Sequence, residues 1–221
     1  MRWHLAIRWA LALSVAPSVA AACDRPVCRV DPATLALMEE VTFDDQASGW
    51  GPGLKIDGVL ALPGASFGER FDGQVLDADE TFDLVAGPAF GPLSLLPGDD
   101  GYNLSILRIS RSNVLTGDGP LGFPREAATG EGAIAILFAE DQSALRLWIQ
   151  GGEGGTAEIT FLARDGRLLD SHLIDLPLPE ETIGFLRAGE RDEIGGVVIT
   201  NRDPQGLALD QVDFGSIHRT S

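Results

Sequence analysis

The sequence predicts an all-β protein with one domain, an antiparallel jelly-roll-like β-sandwich. Short runs in which apolar and polar residues alternate recur from Val41 onward, and no long stretch keeps the 3.6-residue period of an amphipathic helix. Turn residues bound these runs, and the chain contains 27 Gly and 13 Pro. A hydrophobic content of 44% over 221 residues is sufficient for one core, and no repeat or linker divides the chain.

Residues 1–22 are predicted to be a signal peptide. Arg2 and Arg8 accompany a short apolar run, Pro17 interrupts it, and three alanines precede the expected cleavage site after Ala22. The apolar run is shorter than the roughly 20 residues that a membrane-spanning helix needs. We therefore expect an exported protein, periplasmic or extracellular, that does not insert into the membrane after signal cleavage.

Residues 23–40 are predicted to form an N-terminal arm, with a short helix or turn over 32–40. An oxidising compartment favours a disulfide between Cys23 and Cys28. The alternative is a lipid attached to Cys23, because small residues precede this cysteine as they do in lipoproteins. A zinc site is disfavoured, since no nearby histidine completes the coordination of two thiolates.

The predicted sandwich domain spans 41–215, followed by a tail over 216–221. The Asp165-Gly166 pair between two apolar runs is the strongest hairpin signal, because this dipeptide tolerates the positive φ of a type I′ turn. Long rim loops are expected over 86–101 and 116–131, which are rich in Gly, Pro and Asp. Alternation predicts strands at 41–44, 59–62, 69–76, 104–109, 134–138, 145–149, 157–161, 183–186, 197–200 and 207–214.

Several segments, taken in order, resemble secreted bacterial proteins of the PEP-CTERM-associated type. They are Val41-Thr-Phe-Asp-Asp45 and the runs over 130–138, 151–155, 161–170 and 206–214. The resemblance covers 41–215 and implies a jelly-roll sandwich in an exported protein. Residues 213–221 contain neither the sorting signal nor the terminal hydrophobic helix of those proteins.

The charge balance excludes two classes of partner. The chain has 33 acidic against 16 basic residues, a formal net charge of −17. A nucleic-acid binder neutralises phosphates with a basic stripe, which this sequence lacks. Anionic membrane surfaces are excluded for the same reason.

Four aspartates define a candidate calcium site. If the first and last strands of the sandwich run side by side, Asp44 and Asp45 come near Asp210 and Asp213. Carboxylate oxygens in irregular geometry suit Ca²⁺, which makes calcium the expected cofactor if this protein has one. The alternative is that these residues form turns and carry solvated rim charges.

Four other residues define a candidate ligand surface. If Leu145, Leu147 and Ile149 face the core, alternation directs Arg146 and Trp148 outward. An aromatic beside a charged residue can stack on a sugar ring, and two further aromatics, Trp50 and Tyr102, lie in loop-like sequence. The alternative is that Trp148 packs under a neighbouring strand or loop.

These observations predict an exported bacterial module, without catalytic activity, that binds a polysaccharide or a cell-surface or matrix partner. One alternative is a structural or interaction protein with no small-molecule site. The other is a glycan-active hydrolase, although the Glu-x-Asp-x-x-Glu cluster of jelly-roll glycosidases does not occur here.

Overall fold

The computed structural model describes residues 23–79, 81–151, 154–176 and 179–217. The predicted signal peptide and residues 218–221 of the predicted tail lie outside this part of the chain. Two large antiparallel sheets and two additional two-stranded sheets account for the strands, which confirms the predicted all-β sandwich in one domain. Within the described residues, no helix has the length and apolar character needed to cross a membrane.

The strands are named in chain order. They are β1 Val27–Val30, β2 Glu39–Thr42, β3 Leu54–Ile56, β4 Leu60–Leu62, β5 Ala65–Gly68, β6 Arg70–Phe71, β7 Val75–Asp79, β8 Phe82–Ala86, β9 Leu95–Leu96, β10 Leu104–Ile109, β11 Ser112–Gly117, β12 Ile134–Gln142, β13 Ala144–Gly151, β14 Gly155–Leu162, β15 Leu168–Leu176, β16 Glu180–Arg187, β17 Ile194–Asn201 and β18 Leu207–Gly215. Short 3₁₀ turns occupy Pro32–Thr34, Glu126–Ala128 and Ala188–Glu190.

The core lies between an eight-stranded and a six-stranded sheet. Sheet 1 has the order β1-β16-β13-β18-β11-β10-β3, with β2 also paired to β18, and sheet 2 has the order β15-β14-β17-β12-β5-β4. Aromatic pairs join the two sheets: the ring centroids of Phe138 and Phe214 are 5.0 Å apart, and those of Phe161 and Phe185 are 4.9 Å apart. All four rings are fully buried, so alternate residues of each strand supply one hydrophobic layer.

The predicted hairpin at Asp165-Gly166 is confirmed, since it joins the antiparallel strands β14 and β15. Gly166 has a φ of 84°, the left-handed conformation for which glycine is favoured. The expected adjacency of the first and last strands of the predicted domain is also confirmed, because β2 pairs with β18.

The predicted strand over 69–76 is wrong. The chain instead makes β6, turns, and begins β7 at Val75. Gly73 adopts a φ of 90°, and the Gln74 side chain accepts a hydrogen bond of 3.0 Å from the Phe71 N–H. A side chain thus takes the place of a strand partner, which alternation alone does not reveal.

Residues 23–40 are integrated into the sandwich. β1 is the edge strand of sheet 1 and pairs with β16, and Cys23 and Cys28 are joined by a disulfide. Asp170 accepts hydrogen bonds of 2.5 Å from Arg25 and 3.1 Å from the Val27 N–H. Burial acts to raise the pKa of Asp170, but these bonds and one from the Ser171 N–H hold it below its usual value.

Candidate functional site

A groove crosses the outer face of sheet 1. The side chains of Leu145, Leu147 and Ile149 are buried, so the alternate residues of β13 face outward. Trp148 is 42% exposed, although β13 lies between β16 and β18 rather than at an edge. The predicted outward orientation of Trp148 is therefore what the structure shows.

We define the groove as two adjoining depressions that share Gln150 and Glu180. The first, about 170 Å³, contains Trp148 and the second is about 250 Å³. Thr182 and Asp210 also line the first depression. The second is lined by residues that include Leu107, Ile109, Thr116, Gln205 and Ala208. The groove therefore combines an aromatic platform with carboxylate, amide and hydroxyl groups.

Hydrogen bonds hold Asp210 in position inside the groove. One oxygen of its carboxylate accepts a hydrogen bond from the Ser112 hydroxyl and the other accepts one of 3.2 Å from the Gln150 amide. The Ser112 oxygen also lies 3.5 Å from the Asp44 carboxylate, which accepts a bond of 2.9 Å from the Asn113 N–H. The structure thus brings two of the four predicted calcium ligands, Asp44 and Asp210, to one serine.

The other two predicted calcium ligands lie elsewhere. The Asp213 carboxylate, whose side chain is 4% exposed, contacts the Arg146 guanidinium at 2.6 Å, and Asp45 is exposed in the turn after β2. Arg146 also donates to the Pro32 carbonyl at 3.2 Å, so it fixes the segment before β2. Among the described residues no group of three or more His, Cys, Asp or Glu could hold a metal ion, and the calcium site stays a prediction.

Of the four predicted ligand residues only Trp148 lines the groove, whereas Arg146, Trp50 and Tyr102 do not. Trp50, in the connection between β2 and β3, is 70% exposed, and the Arg108 guanidinium lies 5.7 Å from its ring centroid. Tyr102 borders a separate cavity of about 380 Å³ that we call the Tyr102 pocket. It is lined by Glu69, Arg70, Gln74, Val75, Leu76, Asp83, Asp99 and Tyr102.

The Tyr102 pocket contains two buried carboxyl groups with raised pKa values. Burial raises the pKa of Glu69 to about 7; Arg70 opposes this shift, while Asp83 and Asp99 add to it. Burial likewise raises the pKa of Asp83 to about 6, against an opposing effect of Arg70. Burial in the pocket therefore disfavours the ionised form of both carboxyl groups, and the charge of Arg70 only partly offsets this effect.

Sequence reasoning missed the carboxyl groups of this pocket. Asp83 lies between Phe82 and Leu84 in β8, so its side chain points to the opposite face of the hairpin from theirs. The sequence pattern predicts that a carboxylate at that position lies on the solvated face of an amphipathic strand. In the folded protein Asp83 is 4% exposed and lines the same pocket as Glu69.

Comparisons with known proteins give limited information. No family model matches the chain, and no curated protein matches it. Two solved structures are similar at 14% identity. One is a family 28 carbohydrate-binding module specific for non-crystalline cellulose, with 52% of this chain and 78% of that one covered at a TM-score of 0.29. The other is a family 29 carbohydrate-binding module complexed with mannohexaose, with 57% and 87% covered at 0.21.

Proposed function

We propose that this protein is an exported, non-catalytic glycan-binding module whose groove holds a polysaccharide chain. The observation that carries the proposal is the 42% exposure of Trp148 on a central strand, inside a groove with polar groups on either side. An indole exposed in such a position retains apolar surface in contact with water, and a ligand with an apolar face would cover it.

Sugar rings match this surface because they present C–H faces and equatorial hydroxyls together. The face of a ring would stack on the Trp148 indole, and its hydroxyls would meet Gln150, Glu180 and Thr182. Asp210 is already held by Ser112 and Gln150, so little side-chain freedom is lost when it accepts a further hydrogen bond.

The shape of the groove favours an extended chain over a single sugar. Its residues come from five neighbouring strands, from Thr182 on β16 to Leu107 on β10. At the usual spacing of adjacent strands, the groove crosses about 19 Å of sheet, which accommodates several rings in line.

The charge of the groove favours neutral polysaccharides. Glu180, Glu181 and Asp210 line it, and no lysine or arginine is among its lining residues. Carboxylates placed opposite the carboxylates or sulfates of an acidic glycan would repel them. Neutral glucans, mannans and xylans are therefore the ligands to test first.

Affinity electrophoresis in gels containing these neutral polysaccharides tests the proposal. Truncation of a central aromatic anchor costs about 2 kcal/mol or more, so we expect Trp148→Ala to weaken retention by about 30-fold. Trp50→Ala is the matched control, because it removes an exposed indole outside the groove. Absence of retention across the panel, as a purely structural protein would show, or release of shorter sugars, as a hydrolase would show, contradicts the proposal.

Export and the state of Cys23 form a second part of the proposal. The signal predicted over 1–22 supports export, and the disulfide between Cys23 and Cys28 supports an oxidising compartment. The intact mass of the protein recovered from periplasm and medium distinguishes a cleaved disulfide form from a lipidated one. Recovery of the full-length chain from the cytoplasm alone contradicts export.

A further inference from the structure

We infer that the Tyr102 pocket is a second binding site, for a small ligand that carries a protonated amine. An amino sugar is the simplest probe of that chemistry. The Tyr102 pocket shares no lining residue with the groove, so this inference is independent of polysaccharide binding at Trp148.

The charges around the pocket do not balance. Glu69, Asp83 and Asp99 line it together with a single cation, Arg70, and the guanidinium of Arg70 is paired with Glu69. The side chain of this glutamate is only 2% exposed, so the pair is sequestered at the wall of the pocket. A surplus of negative charge therefore remains in the pocket.

Asp83 is the group that faces a ligand. Asp83 is 4% exposed and lines the pocket, and no hydrogen bond from the described residues reaches its carboxylate; Oε1 of Glu69 is likewise buried without a partner among them. A buried carboxylate without a donor is costly, and such groups are normally satisfied by a partner. An ammonium group placed in the pocket would supply both the missing donor and the missing charge.

Tyr102 supplies an aromatic wall to the same pocket. Its ring is 44% exposed and rests on Gly122, where an added Cβ would lie 2.8 Å from the ring. One face is thus supported by a residue that leaves room for it. A cation over the other face is attracted to the π-electrons, and the same face can stack on the C–H groups of a sugar.

A ligand of this kind fits better than a bare metal ion. The cavity of about 380 Å³ falls in the range of small-molecule sites, which is far larger than one ion requires. Within the described part of the chain, the pocket does not bring together three potential metal ligands. An ammonium group would contact the Asp83 carboxylate directly and would be attracted by the charges of Glu69 and Asp99 at a longer distance. The three carboxylates of the pocket allow such an arrangement.

The protonation of the pocket gives the inference a second readout. Burial raises the pKa of Glu69 and of Asp83, and a bound ammonium would lower both, so binding releases protons. Arg70 and Asp99 are the other charged groups that line the pocket. Affinity for an amine should therefore increase from pH 5.5 to pH 7, as the two acids ionise.

Isothermal titration calorimetry of the full chain with glucosamine, N-acetylglucosamine, glucose and calcium chloride tests the inference. We expect glucosamine to bind with proton release, and the two uncharged sugars to bind about tenfold more weakly or not at all. Asp83→Asn should weaken glucosamine binding by about tenfold, whereas Trp148→Ala should leave it unchanged. Equal binding of glucosamine and its acetylated form, or binding of calcium without glucosamine, overturns the inference.

Asp118→Asn is the matched control for this experiment. Asp118 is also buried, burial raises its pKa to about 6, and it lies outside the pocket with a hydrogen bond of 2.6 Å from Ser105. Asp83→Asn should fold, because burial already favours the neutral form at that position, and its melting curve verifies this. Unchanged binding in folded Asp83→Asn, or equal weakening by both substitutions, contradicts the assignment.

Discussion

The groove and the Tyr102 pocket are built from the same kinds of residue, an aromatic beside carboxylates, but the carboxylates differ in their partners. In the groove, Asp210 accepts hydrogen bonds from Ser112 and Gln150. In the Tyr102 pocket, Asp83 is buried and accepts none from the described residues. A carboxylate that already accepts hydrogen bonds from the protein is held in place and can accept a further one from a neutral hydroxyl. A buried carboxylate without a donor is stabilised instead by a bound cation. Partners, rather than residue type, therefore distinguish the two ligands that we propose.

Removing a partner from a paired acid gives the largest expected effect on stability. Arg146→Met deletes the guanidinium that pairs with the buried Asp213 carboxylate and that also binds the Pro32 carbonyl. We expect the free energy of unfolding to fall by about 3 kcal/mol, because a nearly buried charge is left uncompensated. Urea unfolding at pH 7 measures the change.

The double substitution Arg146→Met with Asp213→Asn is the control for that experiment. It removes the stranded charge, so it should recover part of the lost stability. A double variant that is less stable than Arg146→Met would show that the ion pair is not the reason for the loss.

Two buried glutamates, Glu69 and Glu131, predict a protein that is most stable in mild acid. Burial raises the pKa of Glu69 and Glu131 from 4.5 to about 7, so the native state binds more protons than the unfolded chain between these values. The free energy of unfolding must then fall as pH rises through that interval. We expect the Tm to be several degrees lower at pH 8 than at pH 5.5, and a Tm that rises over this range contradicts it.

Glu131→Gln isolates one of these acids. Burial and the nearby Asp203 raise the pKa of Glu131, and its Oε2 is buried without a partner among the described residues. The neutral amide should raise the Tm at pH 8 by a few degrees and change it less at pH 5. Asp175→Asn, an exposed acid on β15 that takes no part in the pKa shift of either glutamate, is the control and should leave the pH profile of the Tm nearly unchanged. An identical shift at both pH values would mean that the charge of Glu131 is not responsible.

The smallest effect concerns calcium. A site that uses Asp44 and Asp210 requires that a chelator lower the Tm and that Asp210→Asn remove this difference. These two residues do converge on Ser112, but donors from the protein already occupy both oxygens of Asp210. Melting curves that coincide with and without chelator contradict the calcium hypothesis.

Much of the sandwich could be predicted because alternation reports burial directly. The strand predicted over 104–109 coincides with β10, and Asp165-Gly166 marks a real hairpin, since both signals depend on residues close in sequence. The break after Phe71 depends on one hydrogen bond from the Phe71 N–H to the Gln74 side chain, which alternation does not show. β1 was missed because its four residues do not alternate: the first two are buried, the third is exposed and the fourth is half-buried.

The candidate sites could be predicted only in part, for a related reason. Alternation along β13 sufficed to place Trp148 on an outer face, but it could not show which neighbours form the groove, because they come from five strands. The role of Asp83 could not be predicted because its burial arises only when the chain folds around the pocket that it lines together with Glu69. Alternation predicts that a charged residue in a strand is exposed, and only the tertiary structure shows whether another part of the protein covers it.

The most direct test of the central claim is the fluorescence of Trp148 itself during titration with a polysaccharide that the protein retains. Trp50→Phe and Trp148→Phe each remove one of the two indoles in the described residues. A sugar ring on the groove should shift the emission of the protein to shorter wavelength, because it shields the indole from water. The account predicts that this shift persists in Trp50→Phe and disappears in Trp148→Phe. A shift that persists in Trp148→Phe and is lost in Trp50→Phe would contradict it.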